Sequence, residues 1–362
     1  MILSRVRAVA EAGLRVLQAV AGGEHGGAEA FAVRLAGAFE RAGVVQRVLA
    51  RADRSWADDM RAAGVDVVTL PFGGALDMAT RRGFKREIAA FRPTHVLTWM
   101  NRATRFCPRA TAATPFVHLA RLGGYYNLKY YRHCDHLIGN TPDIVRYLHD
   151  GGWSAERAHY LPNFVDGEPD VPVVRAGLDT PAGAPLLLGL GRLHRNKGFD
   201  VLLDAVAKVP GAYLWLAGEG EERGALERQA VRLGIADRVR FLGWRRDVAA
   251  LLAATDVFVC SSRIEPLGNI VIEAWAHGAP VVAAAAAGPR QLLLPGENGL
   301  LVPLEDAEAL ATSIVTLLEN SALGDRLAAA GRAAYEEAFT EDVVVASYLD
   351  LLRKLAPAQV TG

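Results

Sequence analysis

The sequence predicts an α/β fold of two domains, each built on a parallel sheet. In both halves of the chain, short apolar runs alternate with helical patterns, as in strand–helix–strand units. The length of 362 residues favours two domains, because a domain averages roughly 150 residues. With 51% apolar residues, each half has enough apolar side chains for a core of its own.

The boundary between the domains is expected in the stretch 161–172. This stretch contains Pro162, Gly167, Pro169 and Pro172 among polar residues, a composition typical of turns and linkers. We therefore assign residues 1–165 to the first domain and residues 166–342 to the second.

Composition excludes several classes of protein. No apolar run reaches the ~18 residues of a membrane-spanning helix, and the first residues lack the apolar segment of a secretory signal. Cys107, Cys134 and Cys260 are odd in number and widely spaced, which fits a reduced compartment and no metal-binding spacing. We therefore expect a cytoplasmic protein.

Charge is unevenly distributed along the chain. The net charge is zero, but residues 1–164 hold 22 Lys+Arg against 14 Asp+Glu, and the remainder holds 18 against 26. A basic first half favours an anionic ligand or partner for that half. The alternative is compositional drift on solvated surfaces.

In the first half, a predicted strand at 14–20 leads through a glycine-rich loop, Gly22–Gly27, into a helix at 28–41. Gly26 and Gly27 allow a ligand to approach the backbone closely at the helix N-terminus. The loop lacks the G-x-G-x-x-G dinucleotide fingerprint, and a plain tight turn is the alternative.

Further strands are predicted at 44–49, 67–70, 95–99, 115–119 and 137–139. His118 falls at the end of the strand 115–119, where parallel sheets place ligand-contacting residues; a structural histidine is the alternative. The following stretch, 121–131, is rich in Tyr and in cations. It suits a sugar or a charged group, and it fits a packed loop equally well.

A basic helix is predicted at Arg81–Arg92. Phe84, Ile88 and Phe91 share one face, and the opposite face is mostly basic. This pattern fits a helix on an anionic membrane surface. An ordinary surface helix with the three apolar residues in the core is slightly favoured.

The second half begins with a predicted buried strand, Leu186–Leu190, a loop from Gly191 to Gly198, and a helix from about residue 199. Arg192 and Lys197 lie in this loop. Two cations and the amide dipoles of a helix N-terminus can hold a diphosphate and neutralise the charge that develops as it leaves. Two solvated surface cations are the alternative.

Further strands are predicted at 213–217, 239–242, 257–260, 281–284 and 300–302, and the last helices at 305–318, 322–338 and 343–355. After the strand Val257–Cys260, a turn containing Glu265 leads into a helix containing Glu273. The N-terminus of one helix can thus present two carboxylates, with amide donors between them, to the hydroxyls of one ligand. A capping box formed by Ser262 and Glu265 is the alternative.

These motifs together resemble the retaining GT-B glycosyltransferases of the large family four. The matching motifs are Gly191-Arg192 with Lys197-Gly198, Gly218-Glu219-Gly220, Val239–Gly243, Glu265-Pro266-Leu267-Gly268 with Glu273, Pro280-Val281-Val282, and Gly296-x-x-Gly299. Their order and spacing match over about residues 186–303. The first half matches more loosely, through the glycine-rich loop and His118.

The resemblance implies two Rossmann-like domains facing a cleft, with the nucleotide-sugar donor bound mainly by the second domain. It implies that Arg192 and Lys197 bind the donor diphosphate, that Glu273 holds the ribose hydroxyls, and that Glu265 holds the transferred sugar. The backbone amides of Leu267, Gly268 and Asn269 would assist Glu265. Many relatives carry Phe where this chain has Leu267, which alters the wall near the sugar.

For the first domain, the resemblance implies that Gly26 and Gly27 approach the donor phosphates or the acceptor. It implies that His118 positions the sugar, and that the helix 343–355 packs back on the first domain. It also implies catalysis without a metal or a cofactor.

The sequence therefore predicts a retaining glycosyltransferase that moves a sugar from an NDP-sugar to a glycan or glycolipid acceptor. The basic first half suggests lipopolysaccharide core or another cell-envelope glycan, with peripheral contact to the anionic inner face of the membrane. We expect no nucleic-acid partner. The alternatives are an NDP-sugar epimerase or a phosphorylase on the same fold, and a catalytically silent sugar-nucleotide-binding subunit.

Overall fold

The chain forms two α/β units in the computed structural model, which describes residues 13–24, 26–74 and 76–355. The first unit runs to Phe164 and resumes at Glu341; the second is Val165–Thr340. The division after Phe164 lies one residue before the boundary that the sequence suggested.

In the described residues, the first unit is built on seven strands, all paired in parallel. They are β1 Arg15–Val20, β2 Val45–Arg51, β3 Val67–Leu70, β4 His95–Trp99, β5 Val117–Leu122, β6 His136–Gly139 and β7 Ala158–Tyr160. Their order in the sheet is β3-β2-β1-β4-β5-β6-β7. The direction of the strand order therefore reverses between β1 and β4, the place where open α/β sheets bind ligands.

The helices between these strands are α1 Gly27–Arg41, α2 Trp56–Ala62, α3 Met78–Phe91, α4 Met100–Phe106 and α5 Pro142–Asp150. Strands β1 and β4 are almost wholly buried, as expected for a parallel sheet covered on both faces.

The C-terminal helix, Glu341–Lys354, completes the core of the first unit. It contributes Val344, Val345, Tyr348, Leu349 and Leu352 to the buried cluster that contains β1 and α1 side chains. The ring of Tyr348 contacts that of Phe39 at 5.9 Å between centroids, edge to face. The first unit is therefore assembled from both ends of the chain.

The prediction of a linker at 161–172 is wrong for residues 161–165. Leu161 and Phe164 are buried in the core of the first unit, and Val165 is buried in the core of the second. Asn163 is 2% exposed, and its buried side-chain oxygen accepts a hydrogen bond from Arg121. The apolar residues of this stretch therefore belong to the cores, despite the prolines between them.

The basic helix α3 packs as an ordinary surface helix. Phe84, Ile88 and Phe91 are buried in the core of the first unit, so the interpretation of these residues as core is confirmed. None of the helices in the described part of the chain combines the length and the apolar character that crossing a membrane would need.

The second unit is built on six parallel strands. They are β8 Leu186–Leu190, β9 Tyr213–Ala217, β10 Val239–Gly243, β11 Val257–Cys260, β12 Val281–Ala284 and β13 Leu300–Val302. The order in the sheet is β10-β9-β8-β11-β12-β13, so the strand order reverses between β8 and β11.

The helices of the second unit are α6 Phe199–Val206, α7 Arg223–Arg232, α8 Val248–Ala253, α9 Asn269–Ala276, α10 Ala287–Leu292, α11 Ala307–Glu319 and α12 Ser321–Ala338. Helix α6 follows β8 and helix α9 follows β11. Both helices therefore begin at the carboxyl edge of the sheet, next to the point where the strand order reverses.

Candidate functional site

The loops that follow β8 and β11 carry the predicted donor-binding residues and are joined to each other. They cover residues 191–198 and 261–268 and leave neighbouring strands. The backbone N–H groups of Arg263 and Ile264 both donate to the carbonyl of Asn196, at 2.8 and 3.1 Å. The structure thus brings the two loops together where a ligand is expected in a parallel sheet.

Lys197 and Glu265, which the sequence assigned to different parts of the donor, form an ion pair with each other. Lys197 Nζ lies 2.5 Å from Glu265 Oε2, and the two side chains are 21% and 10% exposed. The second oxygen of Glu265, Oε1, accepts the backbone N–H of Gly268 at 3.3 Å. A phosphate that reaches Lys197 therefore meets a cation and a carboxylate together.

Gly198 holds the Lys197 loop against the loop that follows β11. Its φ is 63°, in the left-handed region that favours glycine. A Cβ on Gly198 would lie 2.2 Å from the carbonyl oxygen of Ser261. The Ser261 hydroxyl in turn donates to the carbonyl of Lys197 at 2.9 Å. This close approach fixes the backbone that carries Lys197.

Helix α9 begins immediately after the turn that contains Glu265. Its N-cap is Gly268, with φ 76° and no side-chain cap, so the positive end of the helix dipole is not neutralised by a capping side chain. Leu267, Gly268 and Asn269 lie at this helix start, as predicted. The capping-box alternative for Glu265 is wrong, because the helix begins four residues after Glu265.

Glu273 lies one turn further along α9 and is half-buried. Its position in the helix agrees with the sequence-based expectation. The ribose-binding role stays a prediction.

Arg192, the second predicted diphosphate ligand, lies at the surface and pairs with Glu221. The Arg192 Nη2 is 3.0 Å from Glu221 Oε2, and the side chains are 70% and 50% exposed. His194 Nε2 lies 3.5 Å from the other oxygen of Glu221. Sequence reasoning noted the Gly218-Glu219-Gly220 turn and missed the acidic residue directly after it.

Arg263 positions the loop 261–268 and was also missed. Its guanidinium donates to both oxygens of Asp200 at 2.7 Å and to both oxygens of Glu305. These hydrogen bonds with Asp200 and Glu305 raise the pKa of Arg263 above its usual range. The sequence shows this arginine inside the motif, but its two partners are distant in the chain.

The glycine-rich loop of the first unit surrounds a carboxylate that the sequence did not flag. Glu29 is 7% exposed, and its Oε1 accepts the backbone N–H of Gly23 at 2.8 Å. A Cβ on Gly22 would lie 1.8 Å from Oε1, and one on Gly26 would lie 2.2 Å from Oε2. Gly22 and Gly26 therefore leave the space that the Glu29 carboxylate occupies.

This carboxylate changes what the loop can bind. A negative charge inside the loop opposes a phosphate there, and it favours a ligand that offers hydroxyl groups. Gly27, the first residue of α1, has no atom within 4 Å of its would-be Cβ. His25, within the same predicted loop, lies outside the described residues.

The predicted position of His118 at a strand end is wrong. Strand β5 is Val117–Leu122, so His118 is its second residue and lies near the amino-terminal edge of the sheet. The apolar run ends too early in the sequence because Arg121 is polar although it lies inside the strand. The geometric reason for assigning His118 a role at the sugar is thereby removed.

The surroundings of His118 are those of a structural residue. It is 4% exposed, its Nε2 lies 3.0 Å from the hydroxyl of Thr98, and its backbone N–H donates to Asp135 at 2.8 Å. Burial lowers the pKa of His118 to about 4, so the imidazole is neutral at pH 7.

Arg121 is a fully buried cation near the carboxyl end of β5. It is 1% exposed; its Nε donates to the Tyr348 hydroxyl at 2.7 Å and its Nη2 to Asn163 Oδ1 at 2.5 Å. The guanidinium also lies over the rings of Phe31 and Trp99, at 4.5 and 5.0 Å from their centroids. Arg121 thus links β5 to α1 and to the C-terminal helix.

In the part of the chain that the structure describes, no three side chains of His, Cys, Asp or Glu come together as a metal site would require.

The sequence and this fold show that the chain belongs to the group 1 glycosyltransferases. Residues 184–320 match the family model for glycosyl transferases group 1, and residues 26–163 match that of the glycosyl transferase 4-like domain. The resemblance noted from the sequence motifs is confirmed, and so is the expectation that the chain is a glycosyltransferase. These matches lend no support to the epimerase alternative.

Two similar relatives come from Rhizobium meliloti (strain 1021). The lipopolysaccharide core biosynthesis glycosyltransferase LpsE is 39% identical over 342 residues, covering 91% of this chain and 96% of LpsE. The lipopolysaccharide core biosynthesis glycosyltransferase LpsD is 37% identical over 335 residues, covering 91% of this chain and 95% of LpsD.

Among solved structures, HepE from Anabaena in complex with UDP and glucose is similar to this chain. The TM-score is 0.80 at 23% sequence identity, with 94% of this chain and all of HepE covered. At this identity the likeness bears on the fold, and the predicted GT-B class is confirmed.

Proposed function

We propose that the chain is a retaining, metal-independent glycosyltransferase that transfers a sugar from an NDP-sugar to a lipopolysaccharide core or other cell-envelope glycan. The names of the two relatives, LpsE and LpsD, support the acceptor class. The observation that carries the donor side is the Lys197–Glu265 pair beside the start of α9, where the strand order of the second unit reverses.

In this proposal, Lys197 and Arg192 bind the donor diphosphate, and the uncapped start of α9 adds its dipole. When the bond between the anomeric carbon and the phosphate oxygen breaks, the electron pair stays on the diphosphate. Fixed cations and a helix dipole stabilise that developing charge without reorganisation. This electrostatic contribution is the reason for expecting no metal and no cofactor.

Glu265 accepts a hydrogen bond from a hydroxyl of the transferred sugar once the phosphate has drawn Lys197 away from it. Glu273 accepts hydrogen bonds from the ribose hydroxyls. The acceptor hydroxyl attacks the anomeric carbon on the face that the diphosphate vacates, which retains the configuration, and the hydroxyl proton passes to the departing diphosphate oxygen. His118 has no part in these steps, because it is buried, neutral and held by Thr98 and Asp135.

The acceptor is assigned to the first unit, whose charge is positive. The basic face of α3, formed by Arg81, Arg82, Lys85 and Arg86, is exposed and suits peripheral contact with an anionic membrane surface at the cytoplasmic side. Glu29 in the glycine-rich loop suits a hydroxyl of the acceptor or of the donor sugar.

The test is calorimetric binding of UDP, GDP and ADP to the wild type and to Lys197→Ala, with and without EDTA. The proposal expects one diphosphate to bind, insensitively to EDTA, and more weakly in the variant. Binding of none of the three would refute the donor site, and loss of binding in EDTA would refute metal independence. Release of a changed NDP-sugar without any acceptor would favour the epimerase.

A further inference from the structure

A cavity in the first unit is lined by arginines that the donor site does not use. Its volume is about 330 Å³, and its walls include Arg81, Arg102, Arg105, Asn101 and Tyr130. Small-molecule pockets span ~300–1,000 Å³, so this cavity has room for about one sugar-sized group. The lining comes from the loop after β3, which contributes Gly73 and Gly74, from α3, from α4 and from the turn after β5. These segments all follow strands at the carboxyl edge of the sheet.

The three arginines are held in place by uncharged partners. Arg81 lies over the ring of Phe106 at 5.5 Å, and Arg105 lies over the ring of Tyr130 at 5.3 Å. Arg102 Nη1 donates to the backbone carbonyl of Phe72 at 3.4 Å. Aromatic faces and a carbonyl orient these side chains but leave their positive charge uncompensated.

Within the described ranges, none of these three arginines forms an ion pair with a carboxylate. Other arginines of the same unit do so, including Arg47 with Asp66 at 2.7 Å and Arg61 with Asp58 at 2.6 Å. The lack of partners at the cavity is therefore not a general property of this surface.

The carboxylate of Asp77, which caps α3 near the cavity, is already engaged. It accepts hydrogen bonds from the backbone N–H groups of Gly73 and Thr80 at 2.8 and 2.9 Å, and from the Thr80 hydroxyl at 2.5 Å. These bonds, the Thr80 hydroxyl first, lower the pKa of Asp77. They fix its orientation at the helix start, where the negative charge is used to stabilise α3.

A second observation also indicates an excess of positive charge here. The pKa of Arg51, at the end of β2, is lowered by burial and then by the charges of Arg102 and Arg54. Arg102 and Arg105 are also three residues apart on α4, so they are neighbours on one face of the helix. All three cavity arginines are exposed, so water screens part of their mutual repulsion, and a bound anion would reduce it further.

We propose that this cavity binds a phosphate group carried by a sugar of the acceptor glycan. A phosphate monoester carries about −1.5 to −2 charges at pH 7 and three acceptor oxygens, which suits three arginines better than a single carboxylate does. The Tyr130 ring and the Asn101 amide suit the sugar that carries the phosphate. The inference rests on the proposed function, because it names a chemical feature of the substrate of that reaction.

The experiment uses the full-length chain and glucose 6-phosphate as the probe, with glucose and inorganic phosphate for comparison. Binding is measured by calorimetry for the wild type, Arg102→Gln, Arg105→Gln and the double variant. The matched control is Arg109→Gln, which removes an exposed arginine just after α4 that does not line the cavity. Thermal unfolding of each variant checks that it is folded.

Glucose 6-phosphate is expected to bind the wild type, and glucose far more weakly. Each cavity substitution should weaken that binding about tenfold, since each removes a charge-assisted hydrogen bond, and the double variant should lose it. Arg109→Gln should bind as the wild type does. Equal binding by the wild type and the double variant, or an equal loss in Arg109→Gln, would overturn the proposal.

Two further measurements separate a sugar phosphate from a lipid phosphate, and the cavity from the donor site. Vesicles of phosphatidylcholine with and without phosphatidylglycerol test a lipid headgroup as the source of the phosphate; arginine-dependent binding to the anionic vesicles without binding of glucose 6-phosphate would overturn the sugar-phosphate assignment. UDP binding is measured on the same samples and should not change. A wild type that binds glucose 6-phosphate but not UDP would refute the donor site and leave the cavity assignment standing. A wild type that binds UDP but not glucose 6-phosphate would overturn the cavity assignment and leave the donor site standing.

Discussion

Replacing Glu265 with glutamine is expected to tighten the binding of UDP, although Glu265 lies within the candidate donor site. Its carboxylate lies 2.5 Å from Lys197 Nζ, so a diphosphate that reaches Lys197 also approaches a negative charge. Glutamine keeps the size of the side chain and an oxygen that can accept the N–H of Gly268. It removes only the charge, which leaves Lys197 free to bind the phosphate.

The size of the effect follows from the exposure of the pair. The two side chains are 21% and 10% exposed, so water screens them only in part. A hydrogen bond to a charged group contributes ~1.5–3 kcal/mol, and ~1.4 kcal/mol is a factor of ten in affinity. UDP is therefore expected to bind roughly 10- to 100-fold more tightly to Glu265→Gln.

The matched control is Glu221→Gln, which releases Arg192 from an ion pair of the same kind. That pair is exposed, at 70% and 50%, and exposed ion pairs contribute ~0–1 kcal/mol. Its removal should change UDP affinity by less than about fivefold. Both variants remove one negative charge, so a difference between their UDP affinities reports the effect of burial.

Both variants are compared with the wild type by calorimetry with UDP at one ionic strength. Sugar transfer by Glu265→Gln is expected to be slower, because the sugar loses a charged acceptor for its hydroxyl. Weaker UDP binding by Glu265→Gln would refute the reasoning, since the carboxylate would then assist the diphosphate. An equal increase in UDP affinity in Glu265→Gln and Glu221→Gln would refute the claim that burial makes the Lys197–Glu265 pair the stronger one.

Three further predictions concern stability, measured by urea unfolding. Tyr348→Phe should lower the free energy of unfolding by ~1.5–3 kcal/mol, because it leaves the Nε–H of the buried Arg121 guanidinium without an acceptor. Tyr147→Phe, which loses a hydrogen bond to a neutral carbonyl, should cost ~0.5–1.5 kcal/mol; equal costs would contradict this. Gly198→Ala should cost clearly more than Gly211→Ala, since both have positive φ, worth ~1–2 kcal/mol, but only Gly198 would place a Cβ 2.2 Å from a carbonyl oxygen. Burial lowers the pKa of His118 to about 4, below the 6.5 of an unperturbed histidine, so the unfolded chain binds the proton more tightly and stability falls with pH below ~6.5. Between pH ~7 and ~5, the free energy of unfolding should therefore decrease by ~2 kcal/mol less in His118→Gln than in the wild type. An equal decrease in the two proteins would show that His118 is not the buried group described.

The sequence predicted the second unit more closely than the first, for a physical reason. The strands β8, β9, β11, β12 and β13 occur as the sequence predicted, because they are short apolar runs. All but the edge strand β13 are almost wholly buried. Strand β5 was placed wrongly because Arg121 interrupts its apolar run. A buried arginine is tolerated there because Tyr348 and Asn163 accept its hydrogen bonds and two aromatic rings lie against it. Neither hydrogen-bond partner is near Arg121 in the sequence.

The candidate site shows the same contrast between features that are local in the sequence and contacts that only the fold creates. Lys197, Glu265 and Glu273 were found because the sequence places them next to strand ends and a helix start. That Lys197 and Glu265 pair with each other could not be found from spacing, since they are 68 positions apart and only the meeting of two loops brings them together. Glu29 and Arg263 were missed because their roles depend on contacts that the folded chain creates.

The arginine-lined cavity could likewise be predicted only in part from the sequence. The basic run containing Arg81 and the Tyr-rich stretch containing Tyr130 were both noted as candidate ligand segments. Arg102 and Arg105 were not, because two arginines on a seven-residue helix carry no signal until the fold places them opposite the other two segments.

The dependence of the first unit on the C-terminal helix sets an order for folding during synthesis. The buried cluster of the first unit is complete only when residues 341–355 are present. Translation at ~5–20 residues per second needs roughly 10 to 35 seconds to add Val165–Thr340. During that time the apolar residues of the first unit that the C-terminal helix will cover are still exposed. The second unit, which is continuous in sequence, can already fold. The half of the enzyme that is made first is therefore the half that is finished last.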